Sequence, residues 1–213
     1  MRVTIFGATG MVGKYLVKQA LSKGHQVVAF GRNIEQLLDE DLRDDNLTAV
    51  KGYVFDEDDV RQAIKDADAV LSALGGGFDG VDKTRSIGMK NIISQMQKTN
   101  LQRIIAIGGM GVLNASDDSL ILDSPGYPPQ YLPVGKEHLQ AFKLLNASSL
   151  DWTFVCPPTI KDTPADEKYT TSESYQPTSG KNEVSAGNIA HFMLSELHNN
   201  KYTKQRVGIA DIS

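Results

Sequence analysis

Three glycines, Gly7, Gly10 and Gly13, recur at three-residue spacing between an apolar run at residues 3–6 and an amphipathic run at residues 11–23. One glycine is enough for a turn. The spacing G-x-x-G-x-x-G between a strand pattern and a helix pattern suits an anionic ligand that must approach bare backbone. Gly7 allows a tight turn, Gly10 admits a pyrophosphate, and Gly13 lets the helix pack against its strand. The anion then lies at the positive end of the helix, where unpaired N–H groups point at it. Thr9 adds a hydroxyl donor. The chemistry implied is dinucleotide binding, and the second apolar run bears on which dinucleotide. It ends Val28-Ala29-Phe30-Gly31-Arg32-Asn33, without the carboxylate that would accept hydrogen bonds from an adenosine ribose. Arg32 offers a guanidinium that forks onto a 2′-phosphate, which favours NADP(H) over NAD(H).

Other residues could move protons or electrons. His138, at the start of the helix pattern after a long loop, is the best candidate for a proton relay, since an unperturbed imidazole titrates near about 6.5. The plainer alternative is a histidine that caps the helix or faces solvent. His25, His191 and His198 read as structural or exposed, and no set of histidines and acids has metal-ligand spacing. Cys156 follows an apolar strand pattern and reads as core, with no catalytic base beside it. Asp56-Glu57-Asp58-Asp59 reads as a charge cluster at a helix N-terminus. Ser116-Asp117-Asp118 reads as a turn. The Gly75-Gly76-Gly77 run leaves two readings open, room for a flat ring or a flexible loop.

These residues need elements to position them. Apolar runs at residues 3–6, 26–30, 48–54, 69–74, 103–107 and 153–155 are mostly continuous, as in strands covered on both faces. Amphipathic stretches separate them at residues 11–23, 58–67, 84–98 and 135–147. Val12, Leu16 and Ala20 share a face of the first, and Ile87, Ile92 and Met96 point inward from the third. Leu139, Phe142 and Leu145 do so from the fourth. A strand at 182–185, a helix at 187–198 and a strand at 205–210 complete the chain. Strand–helix alternation of this kind predicts an α/β, Rossmann-type doubly wound and mainly parallel sheet. Residues 1–213 then form one dinucleotide-binding domain with a small C-terminal lobe on the substrate side. Two long segments, residues 110–133 and 157–181, each follow a strand and leave the sheet at its carboxyl edge, where such folds bind ligands.

Composition narrows the class further. Lys and Arg total 22 against 26 Asp and Glu, for a net charge of -4 over 213 residues, and no basic stripe invites nucleic acid. No apolar segment approaches the roughly 20 residues needed to span a bilayer. The first residues lack a signal-peptide pattern, and a single cysteine excludes an internal disulfide. These features lead to the expectation of a cytoplasmic protein with no membrane or nucleic-acid partner and no set oligomeric state.

The segments GATGMVGKYL, GRN, DADAVLSALGGG, LQRIIAIGG, SSLDWTFVCPPTI and SAGNIAHFML resemble the atypical short-chain dehydrogenase/reductases. Within them the chain is most similar to the NAD(P)H-binding group that holds the biliverdin-IXβ reductase/flavin reductase and the NmrA-like proteins. The resemblance runs from Arg2 to about Ala210. It implies that Gly7, Thr9, Gly10, Met11, Val12 and Gly13 cradle the pyrophosphate and that Arg32 meets the 2′-phosphate. Leu74, Gly75 and Gly76 would pass beneath the adenosine side and ribose. Ile107, Gly108 and Gly109 would line the nicotinamide pocket, with the backbone of Pro157, Pro158, Thr159 and Ile160 facing the carboxamide. His138 falls where these relatives place a basic residue.

Three departures shape the expected activity. Relatives often carry an aspartate after the glycine that ends the third strand, whereas here Gly52 precedes Tyr53 and the nearest acid is Asp56. Reductases carry a hydroxyl at the end of the fifth strand, where this chain has Gly108-Gly109. The tyrosine-x-x-x-lysine acid/base pair of the wider superfamily is missing, because Tyr131 and Lys136 are one residue too far apart and straddle Pro133. Hydride transfer from NAD(P)H to a flavin or quinone-like conjugated acceptor fits these absences, since orientation and exclusion of water suffice. Phe78, Met110 and Tyr127 could wall such a flat aromatic acceptor. An NmrA-type dinucleotide sensor without turnover is the alternative, and a sugar-nucleotide epimerase or dehydratase ranks third.

Overall fold

Alternate residues of strand β1 (Arg2–Phe6) go to opposite faces of a sheet. Val3 and Ile5 enter one core, Phe6 enters the other, and Thr4 donates to the Ala63 carbonyl on the second side. The computed structural model describes residues 1–38, 44–115 and 119–212. Eight strands form the main sheet in the order β3-β2-β1-β4-β5-β6-β10-β8. They are β2 (Gln26–Gly31), β3 (Leu47–Lys51), β4 (Ala69–Ser72), β5 (Arg103–Ile107), β6 (Asp151–Cys156), β8 (Tyr169–Glu173) and β10 (Gln205–Asp211), with β1 third in the order. All neighbours are parallel except β10 and β8. Two further strands, β7 (Thr159–Lys161) and β9 (Glu183–Ser185), pair with each other in parallel.

Helices cover both faces. α1 (Met11–Ser22) and α6 (Ala186–Asn199) pack on one, joining Leu16, Ala20, Ile189 and Met193 to the inward residues of the sheet. α3 (Glu57–Ala63), α4 (Thr84–Lys98) and α5 (Leu132–Asn146) cover the other around Ile92, Met96, Phe154 and Trp152. A short α2 (Glu35–Leu38) follows β2. The Rossmann-type, mostly parallel architecture read from the alternation is the one observed.

Several details differ from the sequence reading. The segment at 157–181 is not all loop, since it supplies β7 and the antiparallel edge strand β8. The third strand stops at Lys51, because Gly52 turns the chain tightly under the Phe30 ring, 2.6 Å from where a Cβ would stand. Ile87 is 42 % exposed rather than inward. Ile92 and Met96 do point inward, and the buried side of α4 also takes in the polar Arg85, Ser86, Asn91 and Gln95. α5 begins before Gly135, with Pro133 inside its first turn, where a missing N–H costs nothing. Pro133 therefore does not interrupt the path from Tyr131, the residue preceding α5, to Lys136. The residues 116–118 read as a turn lie outside the described residues.

Candidate active site

The parallel order places the carboxyl ends of β2, β1, β4, β5 and β6 side by side along one edge. That edge collects the residues singled out for cofactor binding. Gly7, at the end of β1, has a φ of 76°, a conformation that side-chained residues rarely adopt. A Cβ there would also overlap the carbonyl of Ala73 at the end of β4. Gly13 lies against the Gly7 carbonyl so closely that any side chain would drive helix from strand. Gly10 differs, because the only atom near its Cβ position is the Gly7 oxygen at 3.2 Å. It precedes α1 with no side-chain cap, and the first turn holds no acid. Met11 is exposed and Val12 and Gly13 are buried, so the turn presents backbone outward. A bare, uncapped helix start without an acid is what a pyrophosphate requires, and these residues fit a dinucleotide.

The end of β2 lies on the same edge. Arg32 lies exposed in the turn after that strand, and Thr9 Oγ1 lies 3.7 Å from a Cβ built on Gly31, the last residue of β2. Across the edge, Asp56 is committed as the N-cap of α3, accepting from the amides of Asp58 and Asp59. The acidic run is thus the helix-terminal cluster read from the sequence. Asp59 accepts from the Tyr53 amide at 2.8 Å, which leaves the Tyr53 ring exposed.

Beyond β4 and β5 the glycines serve the protein's own packing. Gly76 lies 2.6 Å, at its Cβ position, from the Asp82 carboxylate, and Gly108 has no room beside Phe154. Gly75 alone of the 75–77 run has open space around it. The run is pinned on two sides. Asp82 accepts from the Gly77 amide at 3.1 Å and the Thr84 amide at 2.8 Å. Arg85 donates to the carbonyls of Gly76 and Gly77, both at 3.0 Å. Both contacts fall on Gly76 and Gly77, at the second half of the run.

Leu74 leads into that run from β4, and Ile107 ends β5. The Gly108 amide donates to the Val155 carbonyl at 2.7 Å and the Met110 amide to the Pro157 carbonyl at 3.0 Å, which ties the β5 end to the turn after β6. Pro157 is buried and Pro158 half-buried, whereas Thr159 and Ile160 open β7 at the same edge.

His138 lies in the second turn of α5 rather than at its cap, and its side chain is half-buried. Its ring lies over Gly109, Cδ2 2.9 Å and Nε2 3.3 Å from the position a Cβ would take there. The imidazole therefore occupies the space of a side chain at the end of β5, where the sequence has glycine. Burial, seconded by the positive charge of Arg85, pushes its pKa down to about 3. The ordinary imidazole value expected from sequence is thereby corrected, and His138 is neutral at physiological pH. Its Nδ1 is buried without a protein partner among the described residues.

The neighbouring Glu137 is buried and accepts from Lys83 Nζ at 2.8 Å and Ser86 Oγ at 2.7 Å. Burial alone would raise its carboxyl, but these two donors hold it below the usual range. Asp82, Lys83, Arg85, Ser86 and Glu137 were not singled out from sequence. The available signal was a polar run, Asp82 to Ser86, at and just before the first turn of α4, two of whose residues, Arg85 and Ser86, are buried. Of the walls expected for an acceptor, Phe78 is 63 % exposed and meets Tyr131 edge-on at 6.4 Å. Met110 packs partly against the second core, and the Tyr127 hydroxyl is wedged between Gly111 and Gly135. Cys156 is fully buried, and burial pushes its thiol up to about 12, so it is core and inert. Among the described residues no cluster of His, Cys, Asp or Glu could hold a metal ion.

The NAD(P)H-binding family model matches residues 7–200. The chain belongs to that NAD(P)H-binding family. YwnB of Bacillus subtilis (strain 168), an uncharacterized protein, is 27% identical over 217 residues, covering 97% of this chain and 96% of its own. A solved structure of a proposed epimerase from Bacteroides thetaiotaomicron is 26% identical with a TM-score of 0.83, covering 100% of this chain and 97% of that one. A proposed NADH-flavin reductase from Streptococcus pneumoniae TIGR4 has a TM-score of 0.83 at 23% identity over 99% of both chains. A short-chain dehydrogenase/reductase from Veillonella parvula DSM 2008, solved with NADP, has a TM-score of 0.78 at 18% identity over 99% of this chain and 94% of its own. The last two share the fold. No helix among the described residues is long and apolar enough to cross a membrane.

Proposed function

We propose that this member of the NAD(P)H-binding family is a reductase, built as one domain, that passes hydride to a flavin or quinone-like conjugated acceptor. When bound, the reduced nicotinamide supplies the hydride. The observation that carries this reading is His138 over Gly109. It puts a neutral hydrogen-bonding group at the β5 end, in a site with no tyrosine–lysine pair to protonate an alkoxide. Such a group can orient a ring carbonyl and share negative charge that develops there, while solvent completes protonation. The likeness in fold to a proposed NADH-flavin reductase agrees with this reading. Arg32, exposed beyond Thr9 and Gly31, would meet the 2′-phosphate and favour NADPH over NADH.

The test is oxidation of NADPH and NADH, followed by absorbance, with FMN, riboflavin and a benzoquinone offered in turn. Saturable turnover, faster with NADPH, is expected, and Arg32→Ala should lower the NADPH/NADH preference by about tenfold or more, the loss of one charge-assisted contact. Tight NADPH binding with no turnover on any acceptor would overturn the reductase in favour of a dinucleotide sensor. Equal rates with NADH would overturn the role of Arg32 alone.

A further inference from the structure

Strand β8 ends the sheet order, so one of its two edges has no strand beside it. Which backbone groups lie on that edge follows from the pairing with β10. The Ser174 amide donates to the Arg206 carbonyl at 2.8 Å, and the Ile212 amide to the Lys168 carbonyl at 3.0 Å. In the antiparallel register that sets Tyr169 against Asp211 and Glu173 against Val207, these bonds put Thr170 and Ser172 in the hydrogen-bonded pairs with β10. The N–H and C=O groups of Tyr169, Thr171 and Glu173 therefore point away from β10. They have no partner among the described residues. Such a row is a template for another strand, and proteins blunt it with a charged side chain, a proline or a bulge. The run Tyr169-Thr170-Thr171-Ser172 has neither charge nor proline, and its register with β10 is unbroken. The chain bends away at both ends, where Glu167 and Ser174 take left-handed conformations with φ of 61° and 58°. Beyond Ser174 the Tyr175 carbonyl and the Pro177 ring lie against Gly208 of β10, over a face of the sheet. An uncharged cleft of about 530 Å³ separates residues 175–179 from Thr170, Thr171 and Ser172.

We propose that β8 is the docking edge for a second copy of this chain, which adds its own β8 antiparallel across a two-fold axis at Thr171. Pairing about that residue sets Thr171 against Thr171 and Tyr169 against Glu173 of the partner copy, so that each unpaired N–H meets an unpaired C=O. The pairs between them are Thr170 with Ser172. Hydroxyl residues facing one another across strands are favourable pairs, and Glu173, the only charge on the strand, meets a tyrosine rather than its like. The strand is its own complement, which favours a second copy over an unrelated peptide. Five residues a side make a contact at the small end of protein interfaces, so the dimer is expected to be weak, with a Kd of about 10–100 μM. The proposal is independent of which acceptor the candidate site takes.

Sedimentation velocity of the full chain over about 1–300 μM, a range that brackets that Kd, should show a monomer passing into a dimer. Amide exchange, read by NMR at both ends of the range, should show Tyr169, Thr171 and Glu173 slowing as concentration rises. Thr170 and Ser172, already bonded to β10, should stay slow throughout. Thr171→Pro removes an N–H that β10 does not use, and edge strands tolerate a proline there. That variant should fold, bind NADPH as the wild-type protein does and stay monomeric over the whole range. If it does not fold, Thr170→Lys decides, since it keeps every backbone group and adds the kind of charge that guards natural edges. It too should be monomeric. A wild-type protein that is monomeric at every concentration overturns the proposal. A dimer that survives a folded edge variant, or that leaves the three amides in fast exchange, uses another surface and overturns it as well. Slow exchange of those amides even in the monomer would mean that one chain satisfies its own edge, which also overturns it.

Discussion

Gly10 and Gly13 are the same residue type three positions apart, yet they do opposite work. Gly13 closes the gap between α1 and the turn, where a methyl group would overlap the Gly7 carbonyl. Gly10 faces outward with a single neighbour at 3.2 Å. Gly13→Ala should therefore cost about 1–3 kcal/mol of stability as an overpacked interior, read from a urea midpoint. Gly10→Ala, whose methyl group would stand 3.2 Å from the Gly7 oxygen, should lower that midpoint less than Gly13→Ala does and weaken NADPH binding by about tenfold or more, since the methyl group takes the place of the pyrophosphate. A stable Gly10→Ala protein with undiminished NADPH affinity would remove the pyrophosphate from this turn. Spacing alone cannot make the distinction, because the motif reads both glycines alike. Only the packing tells which is for the fold and which for the ligand.

At the scale of elements, the buried junction of α4 and α5 is the part of the site that sequence patterning hid. Glu137 bridges the two helices through Lys83 and Ser86, and it precedes the histidine that overlies Gly109. Glu137→Ala should cost about 1–3 kcal/mol, because Ser86 loses its acceptor in a buried setting. Lys83→Met, which removes a side chain 49% exposed, should cost under about 1 kcal/mol. Equal losses would mean that the pair, not the buried carboxylate, holds the helices together. The parallel core strands were legible because each is a short apolar run between helical patterns, and the resulting order put every glycine-rich strand end on one edge. β8 was not legible: Tyr169-Thr170-Thr171-Ser172-Glu173 lacks an apolar face and owes its pairing to β10 at the sheet edge. α4 misled for the opposite reason. Periodicity placed Ile87, Ile92 and Met96 inward, and Ile92 and Met96 are, whereas the buried side of the first turn holds Arg85 and Ser86, which hydrogen-bond to the Gly76 and Gly77 carbonyls and to Glu137. His138 was found by position, but its environment depends on Arg85, 53 residues earlier, and no local pattern carries that.

Across the whole molecule these local environments add to one dependence on pH. Burial lowers the pKa of His25 as well as that of His138, which falls to about 3. Between the ordinary imidazole value near about 6.5 and these lowered values, the unfolded chain binds protons that the folded chain refuses. Stability therefore rises with pH through that window and is lost as acid is added. Asp82, held low by its Thr84 contact, and Glu137, held low by Lys83 and Ser86 against burial, act in the same direction at lower pH, since their stabilisation vanishes as each carboxylate is protonated. His138 alone, its pKa lowered to about 3, can contribute up to about 1.4 kcal/mol per pH unit below about 6. Urea midpoints of the wild-type protein and His138→Gln at pH 7.5, 5.5 and 4.5 measure that share. The wild-type protein should lose stability more steeply between the two lower values than the variant does. Parallel losses would mean that His138 takes up its proton in the folded state after all, and would return it to the list of acids able to protonate a reduced acceptor at neutral pH.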